Sequence, residues 1–171
     1  MDTVRVGVIG AGYIADYHLS GIAAAGGADV RVIMGRSRER TASVAKRYGI
    51  PAVTQEWREV LERKDIDAVV ILTPDGTHEE IAIAAAETGK AILLQKPMAR
   101  SSAECRRIIA AAQRCGVDLQ VSFMHRYFEE VVYVRDLLGG SSAGPVRSIR
   151  LRNATPGPDW RPYNPTLAPL T

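Results

Sequence analysis

The chain has 171 residues, 46% of them hydrophobic and 24% charged, which is globular composition with enough length for one full core and part of a second. A net charge of +3, with basic and acidic residues alternating, argues against a nucleic-acid partner, and no run approaches the length of a membrane span. The N-terminus opens on a strand without the basic-then-apolar layout of a signal peptide, so cytoplasmic residence is expected.

Val4-Arg5-Val6-Gly7-Val8-Ile9 predicts a strand running straight into Gly10-Ala11-Gly12-Tyr13-Ile14-Ala15 and a helix opening at about Tyr13, with Ala11, Ile14, Leu19, Ile22 and Ala23 near one face. Strand, glycine turn and helix in this order seat a dinucleotide pyrophosphate. Gly10 permits a tight turn out of the strand, Gly12 lets the main chain approach the phosphates, and small Ala15 keeps helix and strand close. The first N–H groups of the helix, around Tyr13 and Ile14, add the positive end of its dipole, about half an elementary charge.

A second strand is expected over Asp29–Met34 and a helix over Arg38–Tyr48, ended by Gly49 with Pro51 beyond it. The end of this second strand is where a site for NAD presents a carboxylate to the ribose 2′-hydroxyl. Here it reads Met34-Gly35-Arg36-Ser37-Arg38: two guanidiniums and a hydroxyl, suited to a 2′-phosphate. NADP is therefore expected as cofactor ahead of NAD, the plainer reading being that these arginines only solvate the helix start.

The alternation continues with an extended Ala52-Val53, a helix from Glu56 to Arg63, and Ala68–Leu72, apolar throughout as in a strand buried on both faces. Thr73-Pro74-Asp75-Gly76 breaks that strand, and Thr77 with Glu80 predicts a capping box for an alanine-rich helix closed by Gly89. Ala91–Leu94 follows as a strand ended by Gln95-Lys96-Pro97; Ser101 with Glu104 caps a helix to Cys115, Gly116 closes it, and Leu119–Phe123 is a further strand. This pattern predicts an α/β, Rossmann-type doubly wound parallel sheet. A helix over about Phe128–Leu138, a loop Gly139-Gly140-Ser141-Ser142, a strand over Val146–Arg152 and an extended or disordered proline-rich tail complete the chain.

Cys105 and Cys115 lie ten apart in a helical stretch and read as reduced, packed thiols. His18, His78 and His125 are dispersed, so no metal is expected.

Three features in order, the glycine turn, Thr73-Pro74 with His78 following, and Gln95-Lys96-Pro97, resemble the Gfo/Idh/MocA family of nicotinamide-dependent oxidoreductases. His125-Arg126 is similar to that family's loop near the nicotinamide, and Gly157-Pro158-Asp159-Trp160-Arg161 to the segment leading into its second half. The resemblance implies that Lys96 contacts a substrate hydroxyl and stabilises developing alkoxide, with Pro97 in a cis bond. It also implies that Thr73, Pro74, His78, Gln95, Pro97 and Arg126 shape the cofactor pocket. Two departures accompany it. Gln95 stands where the family has Glu and cannot balance the lysine charge. The chain also ends before the family's glycine run and Asp-x-x-x-His motif, where the proton acceptor and the substrate-binding sheet are expected.

The expected organisation is a dinucleotide-binding domain over 1–125, a connecting helix and first strand of an incomplete second domain over 126–152, and a tail over 153–171. Three readings of function stand side by side. The first is the NADP-binding part of an oxidoreductase acting on a sugar or polyol, incomplete by itself. The second is half of an enzyme completed by a partner chain. The third is a non-enzymatic, truncated product with an edge strand at 146–152 open to self-association.

Overall fold

The computed structural model describes residues 3–140, 144–150 and 152. The chain divides into two compact units, Met1–Met124 and His125–Thr171.

In the first unit, six parallel strands form one sheet: β1 (Val4–Ile9), β2 (Ala28–Met34), β3 (Ala52–Thr54), β4 (Ala68–Ile71), β5 (Ala91–Leu94) and β6 (Leu119–Val121). Their spatial order is β3-β2-β1-β4-β5-β6. The order reverses between β1 and β4, which places a crevice over the carboxyl ends of those strands, the position where open α/β sheets bind ligands.

Five helices cover the two faces: α1 (Tyr13–Ala25), α2 (Arg38–Tyr48), α3 (Trp57–Glu62), α4 (His78–Glu87) and α5 (Ser102–Cys115). Because successive strand residues point to opposite faces, Val69 and Ile71 enter one core while Val70 and Leu72 enter the other. The first core takes Val60 and Leu61 of α3, Ile81, Ala82 and Ala85 of α4, and Ile108 of α5. The second takes Ala15 and Leu19 of α1 with Val44 and Ala45 of α2. Ala23, expected on the buried side of α1, faces solvent, since Ala15 and Leu19 mark the inward stripe. Ile71 has no exposed surface. Ile71→Ala is expected to cost about 2–5 kcal/mol by chemical denaturation, through lost burial and a residual cavity.

Helix ends follow local chemistry at two sites. Ser37 accepts from the Arg40 N–H (3.3 Å) and Ser101 from the Glu104 N–H (3.2 Å), while Gly49 and Gly116 adopt the left-handed conformation that ends α2 and α5. The capping box expected from Thr77 and Glu80 does not form. A 3-10 turn over Asp75–Thr77 precedes α4, and Thr77 has helical rather than extended dihedrals, so its hydroxyl turns back to Thr73 Oγ1 and the Pro74 carbonyl, both at 2.8 Å. Glu80 pairs instead with Arg58 at 2.6 Å.

At the amino-terminal rim of the sheet, Arg5 holds the Asp67 carboxyl well below the usual carboxylate range through hydrogen bonds from its side chain and main chain. Buried Lys90 donates to the carbonyls of Arg63 (3.0 Å) and Ile66 (3.4 Å).

The second unit carries a 3-10 turn over Met124–Tyr127 and α6 (Glu129–Gly139). The strand expected over 146–152 is absent: residues 146–150 and 152 form no regular element, and Val146 and Ile149 are exposed. A strand needs a paired neighbour, and among the described residues these have none. Leu151, Ser141 and Ser142, the Trp160 segment and the tail lie outside the described residues.

Candidate functional site

Four strand-to-helix turns meet at the carboxyl rim of the sheet, and they carry most residues singled out from the sequence. The β1–α1 turn holds Gly10, Gly12, Tyr13 and Ile14; the β2–α2 turn holds Arg36, Ser37 and Arg38; the β4–α4 turn holds Thr73, Pro74 and His78; the β5–α5 turn holds Gln95, Lys96 and Pro97. Arg126 belongs to the second unit, in the Met124–Tyr127 turn, where His125 stacks on Phe128 with centroids 4.8 Å apart.

The two glycines of the first turn serve different ends. Gly10 is buried with φ +121°, its N–H donates to the Met34 carbonyl, and a Cβ there would stand 2.8 Å from the Leu72 carbonyl carbon. It is glycine because the β4 main chain passes against it. Gly12 is exposed, has ordinary extended dihedrals, and a Cβ on it would meet nothing within 4 Å. Among the described residues no atom requires glycine there, and the space in front of it is open to a ligand. No side chain caps α1; Asp16 in its first turn pairs with Arg47 at 2.8 Å.

Gly35 is a structural residue that reading the sequence overlooked. A Cβ there would lie 2.7 Å from the Ala11 Cβ, so the β2 exit and the glycine turn touch only because Gly35 is bare. A glycine directly behind a strand was the available signal. The next residues are anchored: Gln55 Nε2 donates to the Arg36 carbonyl (2.8 Å), and buried Thr41 donates to the Ser37 carbonyl (2.7 Å). The side chains of Arg36, Ser37 and Arg38 are exposed, and Arg38, Thr41, Val53, Thr54 and Gln55 line a cavity of about 190 Å³.

On the other side of the crevice His78 is 1% exposed, with Nε2 at 2.8 Å from the Thr73 carbonyl and Nδ1 at 3.0 and 3.3 Å from those of Pro97 and Met98. The Lys96–Pro97 peptide is cis. Lys96 is exposed, while Gln95 is buried, and both the oxygen and the nitrogen of its amide have a partner. Its Oε1 accepts the Lys96 N–H at 2.7 Å, which leaves Nε2 to donate to His18 Nε2 at 3.2 Å. His18 thus has a polar partner 77 residues away in sequence.

His18 accepts on Nε2, so the neutral form fits the site, and burial pushes its pKa below the ordinary 6.5. The stability this group contributes is complete above 6.5 and is lost as pH falls toward the lowered folded value. Gln95→Glu is expected to reverse the sign. A carboxylate at 95 favours protonated His18, raises its pKa, and makes the contribution full below 6.5 and lost at higher pH. NMR titration of His18 and unfolding measurements on either side of 6.5 check both signs.

Among the described residues no three His, Cys, Asp or Glu side chains come together as metal ligands, and no helix is long and apolar enough to cross a membrane. Cys105 and Cys115 are free and half-buried.

Comparison with known proteins agrees with this geometry. An inositol 2-dehydrogenase of Saccharopolyspora erythraea is 30% identical over 99% of this chain and 50% of its own length. A levoglucosan dehydrogenase of Pseudarthrobacter phenanthrenivorans is 32% identical over 88% of this chain and 40% of its own. Among solved structures, a variant of KijD10, a 3-ketoreductase from Actinomadura kijaniata in complex with TDP-benzene and NADP, superposes with TM-score 0.75 at 31% identity, covering 81% of this chain and 42% of its own. The chain spans about 40 to 50% of the length of these curated relatives. Residues 4–123 match GFO_IDH_MocA, the oxidoreductase family with an NAD-binding Rossmann fold, and the chain belongs to that family.

Proposed function

We propose that this chain is the NADP-binding part of an oxidoreductase that exchanges hydride with a hydroxyl-bearing carbon of a sugar or polyol. The observation that carries the reading is the β2 exit, where the exposed side chains of Arg36, Ser37 and Arg38 stand with no carboxylate among positions 34–38, on the same rim as the open main chain at Gly12 and the exposed Lys96. Levoglucosan and inositol dehydrogenases among the relatives support the substrate class, and the NADP complex of the ketoreductase supports the cofactor.

In this reading the nicotinamide supplies hydride chemistry when bound. The turn from Gly10 to Ile14 receives the pyrophosphate against main-chain donors and the start of α1. Arg36, Arg38 and the Ser37 hydroxyl receive the 2′-phosphate, the arginines through charge-assisted hydrogen bonds. Thr73, Pro74, His78, Gln95 and Pro97 wall the crevice from the β4 and β5 sides. Lys96 donates to the substrate hydroxyl and stabilises negative charge as it develops on that oxygen.

A proton acceptor is still required. His78 faces carbonyls with both ring nitrogens and His18 is turned to Gln95, so neither is poised to take the substrate proton. The whole enzyme's base and substrate-selecting surface are assigned to chain beyond the described residues, in keeping with the greater length of the relatives.

Fluorescence titration with NADPH and NADH tests the assignment. Saturable binding with NADPH the tighter is expected; failure of both to bind at millimolar concentration ends it.

A further inference from the structure

We propose that Gln55 is a positioning residue for the dinucleotide preference: by tying the exit of β3 to the Arg36 carbonyl, it fixes the turn that offers Arg36, Ser37 and Arg38 to the 2′-phosphate. This role rests on the function proposed above. Main-chain pairing of β2 with β3 runs to Met34 against Thr54, and the Gly35 N–H then donates to the Thr54 carbonyl at 3.0 Å. Beyond that point the chains part, one toward α2 and the other toward α3. The Gln55 side chain supplies the following rung, its Nε2 donating to the Arg36 carbonyl at 2.8 Å. A carbonyl only accepts, so the nitrogen of the amide is the atom that faces it.

The turn is thereby held from two sides. The Ser37 carbonyl accepts from buried Thr41, from the hydroxyl at 2.7 Å and the N–H at 2.9 Å, and Ser37 Oγ accepts the Arg40 N–H at 3.3 Å. Without Gln55, the peptide joining Arg36 to Ser37 is fixed on the α2 side alone. The Arg36 side chain is exposed, so its direction follows from the main chain that carries it.

Gln55 also lines the cavity of about 190 Å³ beside Arg38, with Thr41, Val53 and Thr54. The two threonine hydroxyls are committed, that of Thr41 to the Ser37 carbonyl and that of Thr54 to Glu59. Arg38 is the cation of that lining left to meet a phosphate, and Gln55 acts through the turn that bears it.

Paired titrations of the unmodified chain, Gln55→Leu and Gln55→Glu with NADPH and NADH test the role. Leucine removes the donor, and because Gln55 is exposed the substitution leaves the core untouched. NADPH affinity is expected to fall about 3- to 10-fold, the effect of one neutral hydrogen bond, with NADH affinity held within about twofold. Glutamate keeps the shape, turns an oxygen to the carbonyl, and should lose at least as much. A residue that only supported the fold would weaken both dinucleotides alike, so an unchanged NADPH-to-NADH preference in the variants overturns the role of Gln55 while the functional reading stands. An unmodified chain that does not prefer NADPH overturns that reading, and this role with it. Should the variants fail to fold, NMR of the unmodified chain decides: a coupling through the hydrogen bond between Gln55 Nε2 and the Arg36 carbonyl carbon is expected with and without NADPH, and its absence overturns the anchor.

Discussion

Arg36→Asp is expected to weaken NADPH binding by about 10- to 100-fold while NADH binding is retained or improved. The Arg36 main chain is anchored, its carbonyl held by Gln55 at 2.8 Å, so the substitution exchanges the exposed side chain and leaves the turn in place. A guanidinium bonded to a phosphate contributes about 1.5–3 kcal/mol, or about one to two powers of ten in affinity. The replacing carboxylate repels the 2′-phosphate and can accept from a free ribose 2′-hydroxyl, so the two dinucleotides should respond in opposite directions. Paired fluorescence titrations give the answer. Equal losses for both would mean that the residue acts on the shape of the turn, and the preference for NADP would lose its support.

Gly10→Ala and Gly12→Ala should separate folding from binding although the two residues are only two apart. At position 10 the alanine must adopt φ +121° and bring Cβ to 2.8 Å from the Leu72 main chain. Conformational strain alone costs about 1–3 kcal/mol, and the backbone clash adds to it because β4 cannot retreat without disturbing its pairing with β1. A clear fall in the unfolding midpoint is expected, together with lost dinucleotide binding. At position 12 the backbone is ordinary and the space is empty, so stability should change by less than about 1 kcal/mol. Dinucleotide affinity should nevertheless fall at least about tenfold, because the new methyl group occupies the path by which the pyrophosphate reaches the main chain. Calorimetry and titration on both variants check the contrast. A Gly12→Ala chain that binds NADPH normally would displace the pyrophosphate from this turn.

Elements whose cause is local were legible in the residues. The uniform apolar run at 68–72 reads as a strand buried on both faces, and Val69, Val70 and Ile71 are indeed shared between the two cores. Ser101, Gly49 and Gly116 cap their helices as their side chain or backbone freedom dictates. Thr77 shows the limit of such reasoning. The sequence satisfies a capping pattern, yet the Thr73-Pro74 turn sets the dihedrals at 77 and draws the hydroxyl away. Residues 146–150 show the same limit from another side, since alternation suits a strand only where a partner is present.

What the sequence determined by itself is the alternation of strands and helices and the glycine turn at the end of β1, because periodicity and backbone freedom act within a few residues. Tertiary structure alone decided that Gln95 meets His18, that Gly35 must make room for Ala11, and that His78 spans the ends of β4 and β5. Those contacts join segments up to 77 residues apart, and they depend on which strands lie side by side, a quantity that no local pattern carries.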